Sequence, residues 1–203
     1  MAREEEDWAS EVCSHCLRQA QEEPYFLRVR RHLQWWKAQG VPQLLLEILE
    51  EGIPAPQGLP QVLTASCRQQ ASEDQVVVQE ILAEYSRVGA IKKVTEEDGP
   101  TRYLVPWFVV QKKEGSKIQS RLITDCRKIN QFYCTQHFKL DHLENIFPFL
   151  QKGMFAAKVD LKNAYFHLEL HRDLKAYIRL QVGEEIWEFQ SACCGISTSH
   201  NSG

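Results

Sequence analysis

The sequence predicts an α+β fold, and three observations predict it. Apolar residues recur at helical spacing through residues 24–51 and again through 72–88, each run closed by a glycine. Two stretches, 104–125 and 177–190, read as strand–turn–strand pairs, turning at Glu114–Lys117 and around Gly183. Between them an apolar run, Met154-Phe155-Ala156-Ala157, leads to a lone carboxylate at Asp160, as in a buried strand that ends at a sheet edge.

The elements follow in order. Cys13-Ser14-His15-Cys16 has the spacing of half a zinc site, but no second ligand pair follows nearby and Cys67 stands alone. A polar helix carrying two free thiols is the plainer reading. From Pro24 to Gln39, Phe26, Leu27, Val29, Leu33 and Trp36 form one helical face, made basic by Arg28, Arg30, Arg31 and Lys37. Gly40 and Pro42 separate it from a second helix, Gln43–Glu51, stopped by Gly52. The pair reads as helices packed on the main domain, or as a surface for a protein partner through residues 24–52. Ile53-Pro54-Ala55-Pro56-Gln57-Gly58-Leu59-Pro60 cannot continue a helix and marks a linker and domain boundary.

Ser72 has the chemistry of a helix N-cap, and Glu73 and Asp74 suit the positive end of the helix dipole. Val77, Ile81, Leu82 and Tyr85 make its apolar face, and Gly89 ends it. Glu96–Pro100 is a polar loop. Leu104–Lys112 and Ile118–Asp125 are the strands of the first hairpin, with Lys112, Lys113, Lys117 and Arg121 near its tip. Asp141 caps a helix carrying Leu143, Ile146, Phe147 and Leu150, ended by Gly153. The Met154–Asp160 strand follows. Residues 177–182 and 185–190 form the second hairpin, with Glu184-Glu185 in its solvated turn. The small, polar residues from Cys193 to Gly203 read as a frayed end.

Composition narrows the function classes. Hydrophobic content of 43% and charged content of 25% are those of a globular chain. No run approaches the ~18 apolar residues of a membrane span. The acidic start, Met1-Ala2-Arg3-Glu4-Glu5-Glu6-Asp7, lacks a secretory core, which implies an intracellular protein, cytoplasmic or nuclear, with its seven cysteines reduced. Charge is uneven. Residues 1–100 carry ten Lys/Arg against seventeen Asp/Glu, whereas residues 101–140 carry eight against two. That basic block is interleaved with Tyr103, Trp107, Phe108, Phe132 and Tyr133. Such a block suits a polyanion, nucleic acid or nucleoside triphosphate, and equally a solvated strand pair with lysines on its outer edge.

The ordered motifs resemble a known family. Pro106, Val110-Gln111-Lys112-Lys113-Glu114-Gly115 and Arg121-Leu122-Ile123-Thr124-Asp125-Cys126-Arg127-Lys128-Ile129-Asn130 resemble the fingers hairpin of retroelement reverse transcriptases. His137-Phe138-Lys139-Leu140 with Leu143 and Ile146 resembles the helix from fingers to palm. Phe155 and Val159-Asp160-Leu161-Lys162-Asn163-Ala164-Tyr165-Phe166-His167-Leu168 resemble the first palm motif. Phe189-Gln190-Ser191-Ala192-Cys193-Cys194-Gly195-Ile196-Ser197-Thr198 resembles the next, which usually reads Leu-Pro-Phe-Gly-Leu-Ser. Trp35-Trp36, Gly40, Ile48 and Gly52-Ile53-Pro54 are similar to the leader of DIRS-like elements, with gypsy-type elements the next relatives. Residues 75–199 carry most of the resemblance.

The resemblance implies an RNA-directed DNA polymerase fold: a helical extension and Pro-rich linker over 1–60, then a partial reverse transcriptase domain, fingers and first palm motif, over 61–203. It implies template–primer and dNTP as partners and Mg²⁺ as cofactor. Asp160 would be the catalytic, metal-binding aspartate and the Leu161 carbonyl a further ligand. Arg121, with Lys112 or Lys113, would hold the triphosphate. Tyr165 would reject a ribose 2′-hydroxyl, and Gly195 would lie in the nucleotide platform. Departures limit this. Three extra residues separate Gly115 from Arg121. Cys193, Cys194, Ser199 and His200 replace the usual Pro, Phe, Ala and Pro around Gly195. The family's second carboxylate pair, in Tyr-x-Asp-Asp, is not reached. The expectation is a nucleotidyltransferase fragment inactive alone; the alternative is a non-catalytic nucleic-acid-binding or protein-interaction remnant of a retroelement.

Overall fold

The computed structural model describes residues 23–64, 72–114, 117–133, 142–155, 157 and 160–196. Helices and sheet are both present, as an α+β chain requires. Cys13, Cys16, Cys67, Asp141 and residues 134–140 and 197–203 lie outside the described residues.

Helix α1 (Tyr25–Arg31) and α2 (Leu33–Ala38) replace the single helix expected over 24–39. The break is at His32, with φ −97° and ψ 19°, whose N–H bonds the Val29 carbonyl in a tightened turn. Helix α3 (Gln43–Glu51) ends at Gly52, which has φ +93°. A side chain at Gly52 would press on the Leu170–His171 backbone, so this is a close approach that only glycine permits. The chain then docks. Ile53 is buried, donates its N–H to Glu169 O at 2.7 Å and accepts from His171 N at 2.9 Å.

Helix α4 (Ser72–Arg87) begins at Ser72 and buries Val78 and Leu82, one turn apart. Strand β1 is Ile91–Lys93 and is followed by a 3₁₀ turn, Glu96–Asp98. Strands β2 (Trp107–Glu114) and β3 (Lys117–Thr124) form the first hairpin, registered Trp107 to Thr124 and Glu114 to Lys117. Arg121 faces Val110, midway along the hairpin and not near its tip. Short helices α5 (Arg127–Asn130), α6 (Leu143–Ile146) and α7 (Arg172–Lys175) follow, with 3₁₀ turns at Phe147–Phe149 and Ala164–His167. Strands β4 (Arg179–Val182) and β5 (Glu185–Phe189) hairpin about Gly183.

The sheet order is β1-β5-β4, all antiparallel, beside the separate β2–β3 pair. One face of the larger sheet presents Ile91, Leu180, Val182 and Phe189 to a core that also holds Leu82, Trp107, Leu122, Ile129, Leu170 and Leu174. The other face carries charge. Arg179 and Glu188 are cross-strand partners, buried with side chains 1% and 6% exposed, and their closest ion-pair distance is 2.7 Å. The Arg179 guanidinium also donates to the carbonyls of Asp98 and Gly99 and to Thr101 Oγ1, at 2.7–3.0 Å.

Two expectations fail. None of the described residues in 154–160 is in a strand, and Met154 and Phe155 are exposed. Among the described residues, Asp160 is not part of a strand of the central sheet. An apolar run becomes a strand only where a neighbour completes its hydrogen-bond ladder. The β4 edge is taken by Leu104–Val105, whose Val105 N–H bonds Arg179 O. The second is the frayed end expected from Cys193, which fails over its described part: Cys193 and Ile196 are buried in the core. Among the described residues, no helix is long and apolar enough to cross a membrane.

Asp98 closes a capping box with Thr95 and pairs with Lys92. The Lys92 hydrogen bond, then the Thr95 backbone N–H, hold its carboxyl down to about 2 from 3.8. A carboxyl depressed by folding adds stability that is complete above its unfolded value and lost as pH falls through its folded value. Between about pH 4 and 2 the wild-type chain should therefore lose about 1 kcal/mol that Asp98→Asn does not, allowing for the half-exposed lysine. Urea unfolding at stepped pH reads this; identical pH slopes in the two chains would contradict it.

Candidate functional site

Strand β3 forms one wall of a cavity of about 590 Å³. Residues Ser120–Thr124 line it, because alternation turns Leu122 and Thr124 into the core and leaves Arg121 exposed at the rim. The second wall is the segment Asp160–Phe166. Asn163 adopts the left-handed conformation, φ 52° and ψ 47°, and starts the 3₁₀ turn over Ala164–His167. That turn alternates in burial. Phe166 is buried against Tyr85 of α4, edge to face at 4.7 Å, and Tyr165 points outward. His167 stacks on Tyr25 of α1 with centroids 5.0 Å apart. Helices α1 and α4 thus hold the turn that carries Tyr165, and Asp160 and Leu161 are exposed ahead of it.

The third wall is Cys193–Cys194. Gly195 has φ +113°, and a Cβ there would fall inside the Thr124 carbonyl oxygen. Thr124 Oγ1 donates to Cys194 O and Asn130 Nδ2 donates to Gly195 O, both at 2.7 Å. The loop is thereby sewn onto the base of β3.

Four of the sequence-selected residues, Arg121, Asp160, Leu161 and Tyr165, converge here, and Gly195 positions the loop behind them. Lys112 and Lys113 stand on β2 opposite Gln119 and Ile118, nearer the hairpin tip; their side chains lie outside the described residues. Arg127 is taken up locally by a two-pronged pair with Asp125 at 2.8 and 2.6 Å. That pair holds the Asp125 carboxyl below its usual range.

Glu84, Tyr85, Lys162 and Asn163 also line the pocket, and sequence reasoning missed them as site residues. Tyr85 reads as helix core, and only its contact with Phe166 brings it here. Burial, then the neighbouring Glu84, push its hydroxyl above the ordinary value. For Asn163 a signal existed: asparagine is among the few residues that tolerate αL in a turn.

The donor set tests the Mg²⁺ expectation. Asp160 offers one carboxylate and Leu161 one carbonyl, with Glu84 on another wall. Among the described residues no three His, Cys, Asp or Glu gather around a common point. Paired ions need at least two close carboxylates, and Mg²⁺ sheds its waters reluctantly. Among the described residues the pocket lining brings one carboxylate, Asp160, together with one ligand carbonyl, Leu161. No protein-family model and no curated protein matches the chain.

Proposed function

We propose that the pocket binds a nucleoside triphosphate, and that the chain is the fingers and partial palm of a retroelement-type RNA-directed DNA polymerase. What supports the reading is one observation. Three motifs that resemble that family, some 30 to 70 positions apart, meet on a single 590 Å³ cavity: Arg121, Asp160 to Tyr165, and Cys193–Cys194. On this reading residues 1–60 are the helical extension and linker, and 61–203 the partial polymerase domain, acting in the cytoplasm or nucleus.

The chemistry is consistent. A guanidinium at the rim of a pocket offers a planar fork to phosphate oxygens. Lys162 adds a second cation to the same lining. Tyr165, half exposed, stands where a ring can press on a sugar. Lys112, Lys113 and Lys117 on the hairpin give a template–primer a salt-sensitive hold. Template-directed transfer also needs a second close carboxylate. Binding without synthesis is therefore the behaviour we assign to these 203 residues.

The test is equilibrium titration with dNTP and ATP, beside primer extension on a primed RNA template with Mg²⁺. Binding should be measurable and should weaken roughly tenfold or more in Arg121→Ala, the size of a lost charge-assisted hydrogen bond. No extension product should form. Equal affinity in Arg121→Ala would overturn the pocket assignment. Extension abolished by Asp160→Asn would show that other carboxylates complete the site. A second reading, a protein partner on residues 24–52, draws on exposed Trp35, Leu44 and Leu45, and pull-down with wild-type chain against Trp35→Ala tests it.

A further inference from the structure

Cys126 lies between β3 and α5, and Cys193 lies in the loop after β5. Their sulfurs are 3.8 Å apart and share a hydrogen bond. The residues are 1% and 2% exposed. Cys126 Sγ also sits 3.8 Å from Thr124 Oγ1, whose hydroxyl holds the Cys194 carbonyl. The hydrogen bond with Cys193 and burial push the Cys126 thiol above its ordinary value, and the same hydrogen bond holds the Cys193 thiol below its own, so Cys193 is the readier thiolate of the two. No step in nucleotide binding uses either sulfur. Both residues sit outside regular strands, and a disulfide requires their sulfurs to close from 3.8 Å to about 2.05 Å. Cys193 is also the member of the pair that lines the pocket, beside exposed Cys194.

We propose that Cys126 and Cys193 form a reversible disulfide that pins the Gly195 loop to the base of β3 and makes the pocket wall redox-responsive. The oxidant is a low-molecular-weight disulfide of the glutathione class. The Cys193 thiolate attacks one sulfur of that disulfide, which leaves one glutathione as thiolate and Cys193 in a mixed disulfide. The Cys126 thiolate then attacks the Cys193 sulfur and expels the second glutathione. Two electrons pass from the protein to glutathione disulfide, and the two thiol protons end on the released glutathione. The bond closes a long loop of chain, which favours the folded state.

The experiment uses the full 203-residue chain, equilibrated with glutathione disulfide, then unfolded, alkylated and mapped by mass spectrometry. The expected result is one peptide joining Cys126 to Cys193, absent when oxidation is done in urea, and reversed by dithiothreitol. It should persist in Cys194→Ser. The oxidised chain should melt roughly 5 °C or more above the reduced one. A bond from Cys126 to Cys194 or Cys134, or Cys193 arrested as a glutathione adduct, would overturn the proposal. So would glutathione on Cys194 with Cys126 and Cys193 still free to alkylate. None of these outcomes depends on whether a nucleotide binds.

Discussion

Glu188→Ala is expected to destabilise the chain by about 3–5 kcal/mol, the usual effect of stranding one member of a buried ion pair. Total stabilities are about 5–15 kcal/mol, so this change leaves little margin. The size follows from where the partner sits. Arg179 is enclosed between the sheet and the Asp98–Thr101 loop, 1% exposed, and cannot reach water when its carboxylate is removed. Its remaining acceptors are two carbonyls and a hydroxyl, which bear no full charge. The pair itself is a separate matter. Two buried charges exchanged together for apolar residues often cost little. Arg179→Met with Glu188→Leu should thus recover much of the single-mutant loss. Urea unfolding followed by tryptophan fluorescence measures both, and a double mutant no better than Glu188→Ala would show that the carbonyl contacts dominate.

Gly195→Ala should cost roughly 2–4 kcal/mol and also remove nucleotide binding. Two penalties combine. Any L side chain at φ +113° is strained, and here the new methyl meets backbone that cannot swing away. Relief comes only by lifting the loop, which breaks the Thr124 and Asn130 hydrogen bonds to Cys194 and Gly195. Gly153 separates the two causes. Its φ is +91°, but among the described residues nothing lies within 4 Å of an added Cβ. Gly153→Ala should carry the strain alone, about 1 kcal/mol, and spare binding. Equal losses at both positions would remove the close approach from the explanation.

Much of the architecture is legible in the sequence because it rests on local pattern. The α3 and α4 helices follow from 3.6-residue periodicity, and the β4–β5 hairpin from period two around Gly183. The misreadings have tertiary causes. The run 154–160 is as apolar as a strand, but its described residues are in none, because pattern does not supply a hydrogen-bonding neighbour. Cys193–Ile196 looks like a tail because its residues are small, whereas Gly195 lets it fold back onto Thr124. The sequence carries no sign of the Arg179–Glu188 pair, which exists only because β5 places Glu188 opposite Arg179 and the Asp98 loop covers Arg179. The pocket divides in the same way. Arg121, Asp160 and Tyr165 stand out through the order of motifs. Glu84, Tyr85 and Lys162 become pocket residues only when α4 and the Asn163 turn meet.

The sheet order has a consequence for biosynthesis. Among the described residues strand β1 has one partner, β5, and Ile91 pairs with Phe189, about 100 positions later. At ribosomal speeds that interval is roughly 5 to 20 s. For that time the nascent chain presents Ile91 and the apolar side of α4 without the strand that covers them. Helix α4 can form at once, but the sheet closes only when β5 emerges. The chain should therefore be a client of ribosome-associated holdases. Slowing elongation between residues 95 and 185 should lengthen that exposure and lower the folded yield, with no change in any contact of the finished protein.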